Sequence, residues 1–452
     1  MKAVEAIAEI LKREGIDMIL GYPVNHVLEY AARADIRSII CRQERIGLHM
    51  ADAISRVTSG DKIGVFAMQH GPGSENAFGG VAQAYGESSP ILILPMGYAT
   101  RKAHVHPNFN STLNFQHVTK SVEPLISASE VPHAFRRAFT RLRSGRPGPV
   151  MVEIPSDLMM QDFPGELSYT PTKTLRSGPD PRDVDRVAAA LVNAKRPVIY
   201  AGQGVHYAKA WDALRKLAEH LAAPVTSSLG GKSAFPEGHA LALGSGGRSM
   251  PKPVHHFLHN ADLIFGIGCS FTDTNFGVAM PKGKAIIHAT LDPIDVNKDV
   301  ACEDALIGDA GLILDALNEA VADRLRGKAR DAGKVQAEIA EVRKPWFEKW
   351  RHKLQSNDAP LSPYRVIWDL ANTVDRANTI ITHDAGSPRD QLSPFWQADT
   401  PLSYIGWGKT TQLGYGLGLA MGAKLAQPDK LCINVWGDAA IGFTGMDFET
   451  AV

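Results

Sequence analysis

The chain has 452 residues, too many for a single hydrophobic core, and its length suits two or three domains of α/β size. Hydrophobic residues make up 44% and charged residues 21%, and 48 basic against 48 acidic side chains leave a formal net charge of zero, so nothing in the charge calls for a nucleic-acid or anionic-membrane partner. The four cysteines (Cys41, Cys269, Cys302, Cys432) are scattered, with no C-x-x-C and no paired His/Cys cluster, which points to a reducing compartment and away from zinc.

The first segment, MKAVEAIAEILKREG, is charged throughout and reads as an amphipathic helix (Val4, Ile7, Ala8 and Leu11 on one face, Gly15 as the stop) rather than a signal peptide. No apolar run approaches the ~20 residues of a membrane span, so a cytoplasmic protein without a membrane partner is expected. Short apolar runs then alternate with helical patterns: 18–20, 36–41, 63–68, 91–95 and 150–154. That alternation implies α/β architecture, a mostly parallel, doubly wound sheet covered on both faces.

Three places stand out at the ends of these runs. Arg42-Gln43-Glu44-Arg45 opens a helix, where a glutamate is also favoured by the helix dipole alone. His70-Gly71-Pro72-Gly73-Ser74-Glu75-Asn76 joins a strand to a helix; its glycines either admit a ligand to the backbone or simply make a tight turn. Asn114-Phe115-Gln116-His117 lies in a polar, His-rich stretch that is either an active-site loop or a solvated one.

Residues 164–179, rich in Pro, Gly, Ser and Thr, read as a linker that closes a first domain of residues 1–165. The alternation resumes in a central Rossmann-like domain, 183–325. There Gly202-Gln203-Gly204 lacks the third glycine of the dinucleotide fingerprint, and the 244–248 loop, GSGGR, either meets a phosphate or turns. Residues 323–355 are charged and helical as far as Pro345, which suggests a second connection. In the third domain, 361–452, the strand 379–382 runs into His383-Asp384-Ala385-Gly386-Ser387. Gln412–Ala426 is a helix weakened by four spaced glycines, sensible only if it packs closely on something. The strand 431–436 then ends in Gly437-Asp438, which puts a carboxylate at the carboxyl edge of a sheet, where open α/β sheets collect ligands and Mg²⁺ can meet phosphate oxygens.

In this order GYPVNHVLEY, RQERIGLHMADAISRVTSG, QHGPGSENAFGGVAQAYGESSPILIL, SGRPGPVMVEIPSDL, AFPEGHALALG, HDAGSPRDQ, KTTQLGYGLGLAMGAKLAQPD and WGDAAIGFTGMDFETAV resemble, segment by segment, the thiamine-diphosphate-dependent enzymes of the acetolactate synthase and 2-oxo-acid decarboxylase family. The resemblance implies three doubly wound parallel-sheet domains (pyrimidine-binding, central and diphosphate-binding, the last incomplete) and carbon–carbon bond cleavage or ligation on a 2-oxo acid or acyl substrate. It assigns Glu44 to the aminopyrimidine ring, Leu413 to propping the cofactor in its bent form, and the Thr411 carbonyl to a place beside it. It gives Phe115, Gln116 and His70 to the substrate side and Asp438 to Mg²⁺. The amides of Ala385, Gly386, Ser387 and Ala439 go to the diphosphate, and Pro23, Asn76, Gly437 and Ala440 complete the cofactor set. It also implies a homodimer or homotetramer, with Glu44 and Asp438 supplied by different subunits.

Departures qualify the likeness. Gly437-Asp438-Ala439 replaces Gly-Asp-Gly, and GDAAIGFTGM is closer to the 2-hydroxyacyl-CoA lyase branch, an alternative activity. Ser270 stands where FAD-binding relatives carry arginine, which puts FAD in doubt. The second metal-ligating residue of the family, a downstream asparagine, is not among these residues, so a truncated, weakly binding form or a non-catalytic scaffold is the competing expectation.

Overall fold

The computed structural model describes residues 1–452 and divides by its internal packing into two units, Met1–Leu175 with Thr410–Val452, and Arg176–Lys409. In the first unit β1 (Met18–Gly21), β2 (Arg37–Ile40), β3 (Gly64–Met68), β4 (Ile91–Gly97), β5 (Ser121–Pro124) and β6 (Val150–Pro155) form one parallel sheet in the order β2-β1-β3-β4-β6-β5. Strands β3 and β4 are buried along their whole length, as a sheet covered by helices on both faces requires. The helices Ala3–Arg13 and Val131–Leu142 share one apolar cluster below the sheet, while Glu44–Val57 and Pro72–Gly86 contribute to another.

The second unit repeats the scheme. Strands β7 (Pro197–Ala201), β8 (Val225–Ser227), β9 (Ala242–Ser245), β10 (Leu263–Ile267), β11 (Ala285–Thr290) and β12 (Asp304–Ile307) lie in the order β12-β11-β10-β7-β8-β9, again parallel. A further parallel pair, β13 (Thr379–His383) with β14 (Tyr404–Ile405), begins the third sheet. Pro345 does not end a helix: Gly333–Leu354 runs straight through it. The turn after the proline is held by aromatic contacts, Trp346 stacked on Phe395 at 5.4 Å and Trp350 against Tyr364 at 5.1 Å, which offset the lost backbone bond.

Back in the first unit, the glycine-spaced helix starts at Tyr415, after Gly414 in a left-handed conformation (φ +85°), and runs to Ala426. It lies along Glu44–Val57, and the glycines explain how closely. A Cβ on Gly418 would stand 2.9 Å from the Ile46 carbonyl oxygen, and one on Gly422 would stand 2.7 Å from the Met50 Cα. The helix propensity lost to glycine is exchanged for backbone-to-backbone packing. Strand β15 (Leu431–Val435) and the short helix Asp438–Thr444 follow.

Candidate active site

The loops that follow β2, β1 and β3 leave the sheet at the carboxyl ends of three neighbouring strands, the edge where open α/β sheets bind ligands. The loop after β1 carries exposed Pro23 and is tied down by buried Asn25. The Asn25 amide donates to the carbonyls of Met68 and Leu94, both at 2.9 Å, while its oxygen caps the next helix at Val27 N, 3.0 Å. Asn25 escaped the sequence reading, although an Asn just ahead of a helical run is an N-cap signal.

After β2 comes Arg42–Arg45. Glu44 is the first residue of its helix and only 4% exposed. Its neighbours face the C-terminal segment: the Arg42 amide donates to Asp447 Oδ1 at 2.9 Å, Gln43 Nε2 to the Phe443 carbonyl and to Asp447 Oδ2, both at 3.1 Å, and the Arg45 guanidinium lies over the Phe443 ring. Arg42 also pairs with Glu449. Glu44 itself lies against the turn after β3, where Gly73 and Asn76 sit: a Cβ on Gly73 would be 3.3 Å from Glu44 Oε1. Burial pushes the Glu44 carboxyl above its usual range, and hydrogen bonds from its own amide and Asn76 oppose this. A carboxyl that resists ionising, beside a glycine-lined face, suits a partner ring nitrogen with which it shares a proton. These residues fit the aminopyrimidine of thiamine diphosphate.

His70 packs edge-on against Tyr98 (centroids 4.5 Å), its Nδ1 has no partner, and burial with Lys102 nearby lowers its pKa. The pair Phe115 and Gln116 separates. Phe115 is fully buried between Phe78 (5.3 Å) and Phe109 (6.5 Å), whereas Gln116 is exposed. Thr411 and Leu413 are half-buried on the strip leading into the glycine-spaced helix. Asp438 is exposed at the end of β15 with its carboxylate on the Ala439 amide at 2.8 Å, and Ala440 is buried. No group of three or more His, Cys, Asp or Glu side chains is placed to hold a metal. In the second unit, Ala385 is buried and its amide is taken by Asp384 Oδ1 at 2.8 Å. Gly386, at φ +79° with open space where a Cβ would go, and Ser387 are exposed.

The glycine turns of the central sheet are closed by contrast. The Gly202 amide donates to the Ile267 carbonyl (2.9 Å), Gly204 to Gly268 (2.8 Å), Gly246 to Ser227 (2.6 Å) and Arg248 to Phe276 (3.1 Å). Their backbone donors are already used inside the protein, which removes them from phosphate binding.

Parallel α/β sheets with a buried carboxyl whose pKa is raised at one strand end and a solvent-facing aspartate at another are the setting in which open α/β proteins collect ligands. Comparison with known proteins makes this specific. Residues 1–122 match the thiamine pyrophosphate enzyme N-terminal TPP binding domain, 184–317 the central domain and 384–452 the C-terminal TPP binding domain. The chain is 31% identical to the probable acetolactate synthase large subunit of Methanocaldococcus jannaschii, an alignment spanning 100% of this chain and 78% of that protein. It is 29% identical to the acetolactate synthase isozyme 3 large subunit of Escherichia coli (100% and 80%) and 30% identical to the acetolactate synthase large subunit of Parasynechococcus marenigrum (96% and 72%). The chain belongs to the thiamine pyrophosphate enzyme family. No helix is long and apolar enough to cross a membrane.

Proposed function

We propose that this chain forms or cleaves a carbon–carbon bond beside the carbonyl of a 2-oxo acid, in the manner of an acetolactate synthase, with thiamine diphosphate and Mg²⁺ as cofactors. When bound, the cofactor would supply a thiazolium ring as the electron sink for the bond that forms or breaks. Glu44 would hold and exchange a proton with the aminopyrimidine nitrogen, and the burial that raises its pKa favours its protonated form. Leu413 and the Thr411 carbonyl would be the groups that hold the middle of the cofactor. Asp438 would be the side-chain ligand to Mg²⁺; Gly386, Ser387, Gly437 and Ala440 are assigned to the diphosphate, whereas the Ala385 and Ala439 amides, expected there too, are already taken by Asp384 Oδ1 and Asp438 Oδ1. Pro23 and Asn76 would flank the pyrimidine. Gln116, exposed, and His70, with a free ring nitrogen, are the groups offered to substrate. Phe115 acts by packing, since its ring has no exposed surface.

FAD is not part of the proposal, since Ser270 stands where FAD-binding relatives carry arginine. Ser270 hydrogen-bonds Thr272 Oγ1 at 2.7 Å, and the Lys298 ammonium donates to the same oxygen at 2.8 Å. A homodimer or homotetramer is part of the proposal, and light scattering on the purified chain tests it.

The observation that carries the reading is the setting of Glu44: buried, its pKa raised by that burial, and turned to the Gly73–Asn76 face while its neighbours hold residues 443–447. Calorimetry with thiamine diphosphate and Mg²⁺, followed by pyruvate consumption and C2-proton exchange, tests it. Saturable binding that needs Mg²⁺, with exchange abolished in Glu44→Gln, is expected. Binding without exchange in the parent chain would overturn it.

A further inference from the structure

The strip of residues 410–413 is irregular backbone, belonging to no helix or strand, yet it carries Thr411 and Leu413, two residues assigned to the cofactor. Something outside the strip has to hold it. The contacts are polar and converge on Gln412. Its backbone N–H donates to Gln83 Oε1 at 3.3 Å, and its side-chain Oε1 is 3.0 Å from His49 Nε2. Its amide nitrogen lies over Gly79, so close that a Cβ there would overlap it. Gly79 and Gln83 are one turn apart on the helix Pro72–Gly86, and His49 belongs to the helix that Glu44 begins.

We infer that His49 and Gln83 are positioning residues that clamp Gln412 and thereby set where Leu413 stands; this rests on the proposed cofactor reading. His49 is built for one role. It is fully buried, and burial drives its pKa down to about 3, so it is neutral at any working pH. With Gln412 Oε1 as acceptor, the ring carries its proton on Nε2, and Nδ1 is buried without a partner. The ring cannot turn away. Gly418 of the glycine-spaced helix leaves just the space that His49 Cβ fills, and Tyr415 meets the ring edge-on at 4.5 Å. The helix that packs on His49 is therefore the continuation of the strip that His49 holds, so the prop and its anchor are one rigid piece. Thr410 completes the arrangement, its methyl group set 3.1 Å from where a Gly86 Cβ would be.

A packing role and a positioning role separate by the chemistry of the replacement. Glutamine at position 49 can place an N–H where Nε2 sits; asparagine cannot reach. The experiment compares His49→Gln, His49→Asn and Gln83→Leu with the parent by thiamine diphosphate calorimetry in Mg²⁺ and by amide hydrogen exchange at residues 410–414 of the cofactor-free protein. His49→Asn and Gln83→Leu are expected to weaken cofactor binding about 10-fold, the size of one buried hydrogen bond, and to speed exchange at Gln412; His49→Gln is expected to stay within about 3-fold of the parent. Equal affinity in all four proteins, or His49→Gln as damaged as His49→Asn, overturns the inference. If the parent itself binds no cofactor, the functional reading fails and the exchange data alone decide the clamp: unchanged exchange in His49→Asn and Gln83→Leu sinks it.

Discussion

The strand-to-helix turn after β3 and the one after β7 look alike in one dimension, HGPGSEN against GQG, and behave oppositely in three. At Gly202 and Gly204 a Cβ would run into the backbone of Gly268 and Cys269, in the latter case within 2.7 Å of Gly268 Cα. Those glycines exist because two chain segments cross there. At Gly71 and Gly73 a Cβ would meet side chains instead, the Tyr98 hydroxyl at 2.7 Å and Glu44 Oε1 at 3.3 Å. The same residue type closes one turn and opens the other. What a missing methyl group faces, rather than the number of glycines, separates a packing turn from a site.

Substitutions at the two turns can break that distinction. The largest effect is expected at the group the open turn faces: Glu44→Gln should lower turnover by roughly 10²–10⁴-fold, the range of a lost general acid–base, with a thermal midpoint close to the parent's. A variant that keeps its rate would leave the open turn without a purpose. Next, Gly202→Ala should cost about 3 kcal/mol or more in a urea titration, because rigid backbone cannot move aside, and should leave first-unit chemistry untouched in the protein that remains folded. Gly73→Ala should do the reverse, costing about 1 kcal/mol or less while weakening cofactor affinity, since its nearest neighbours are the Gln69 Cβ at 3.0 Å and the Glu44 carboxyl. Equal unfolding midpoints for the two alanine variants would erase the contrast.

A third glycine sharpens the comparison. Gly97 faces Glu153, whose Cγ would lie 3.1 Å from an added Cβ, and whose carboxyl touches the Ser111 hydroxyl at the start of the segment leading to Phe115 and Gln116. Burial pushes Glu153 up to about 7. Between the ordinary carboxyl range and that value the folded chain holds more protons than the unfolded one, so Glu153 costs stability as pH rises through this window. Glu153→Gln should therefore be more stable than the parent at pH 8 by about 2 kcal/mol, the Ser111 contact offsetting part of the desolvation, with the gap closing by pH 4. A pH-independent difference in thermal midpoints would contradict this.

Acid acts on the other sign. His49, with a pKa held down to about 3, and His206, held down to about 4, are kept neutral by burial, so their contribution is complete above the usual histidine range and is lost as pH falls below it. The change in thermal midpoint on acidifying from pH 6 to pH 4 should therefore be less favourable in the parent than in His49→Gln, which lacks the buried imidazole.

The sheet itself was legible in one dimension. Buried parallel strands must read as short apolar runs, and the runs at 63–68, 91–95 and 150–154 became β3, β4 and β6. The glycine spacing of 412–426 correctly demanded a close neighbour but could not say that the neighbour is the Glu44 helix, because the contact joins residues more than 360 positions apart. Phe115 and Gln116 read as a pair, yet adjacent residues in a turn need not face the same way, and one went to the core. Pro345 read as a break, and aromatic packing overrode it.

Local chemistry and periodicity thus settled the α/β class, the strand ends and the acids and glycines that sit there, since each depends on residues a few positions apart. Which glycine opens a face, which carboxyl is kept from ionising and which glutamine is clamped were decided only when distant helices met. Desolvation and overlap are properties of what surrounds an atom in space, and a linear chain does not contain its own surroundings.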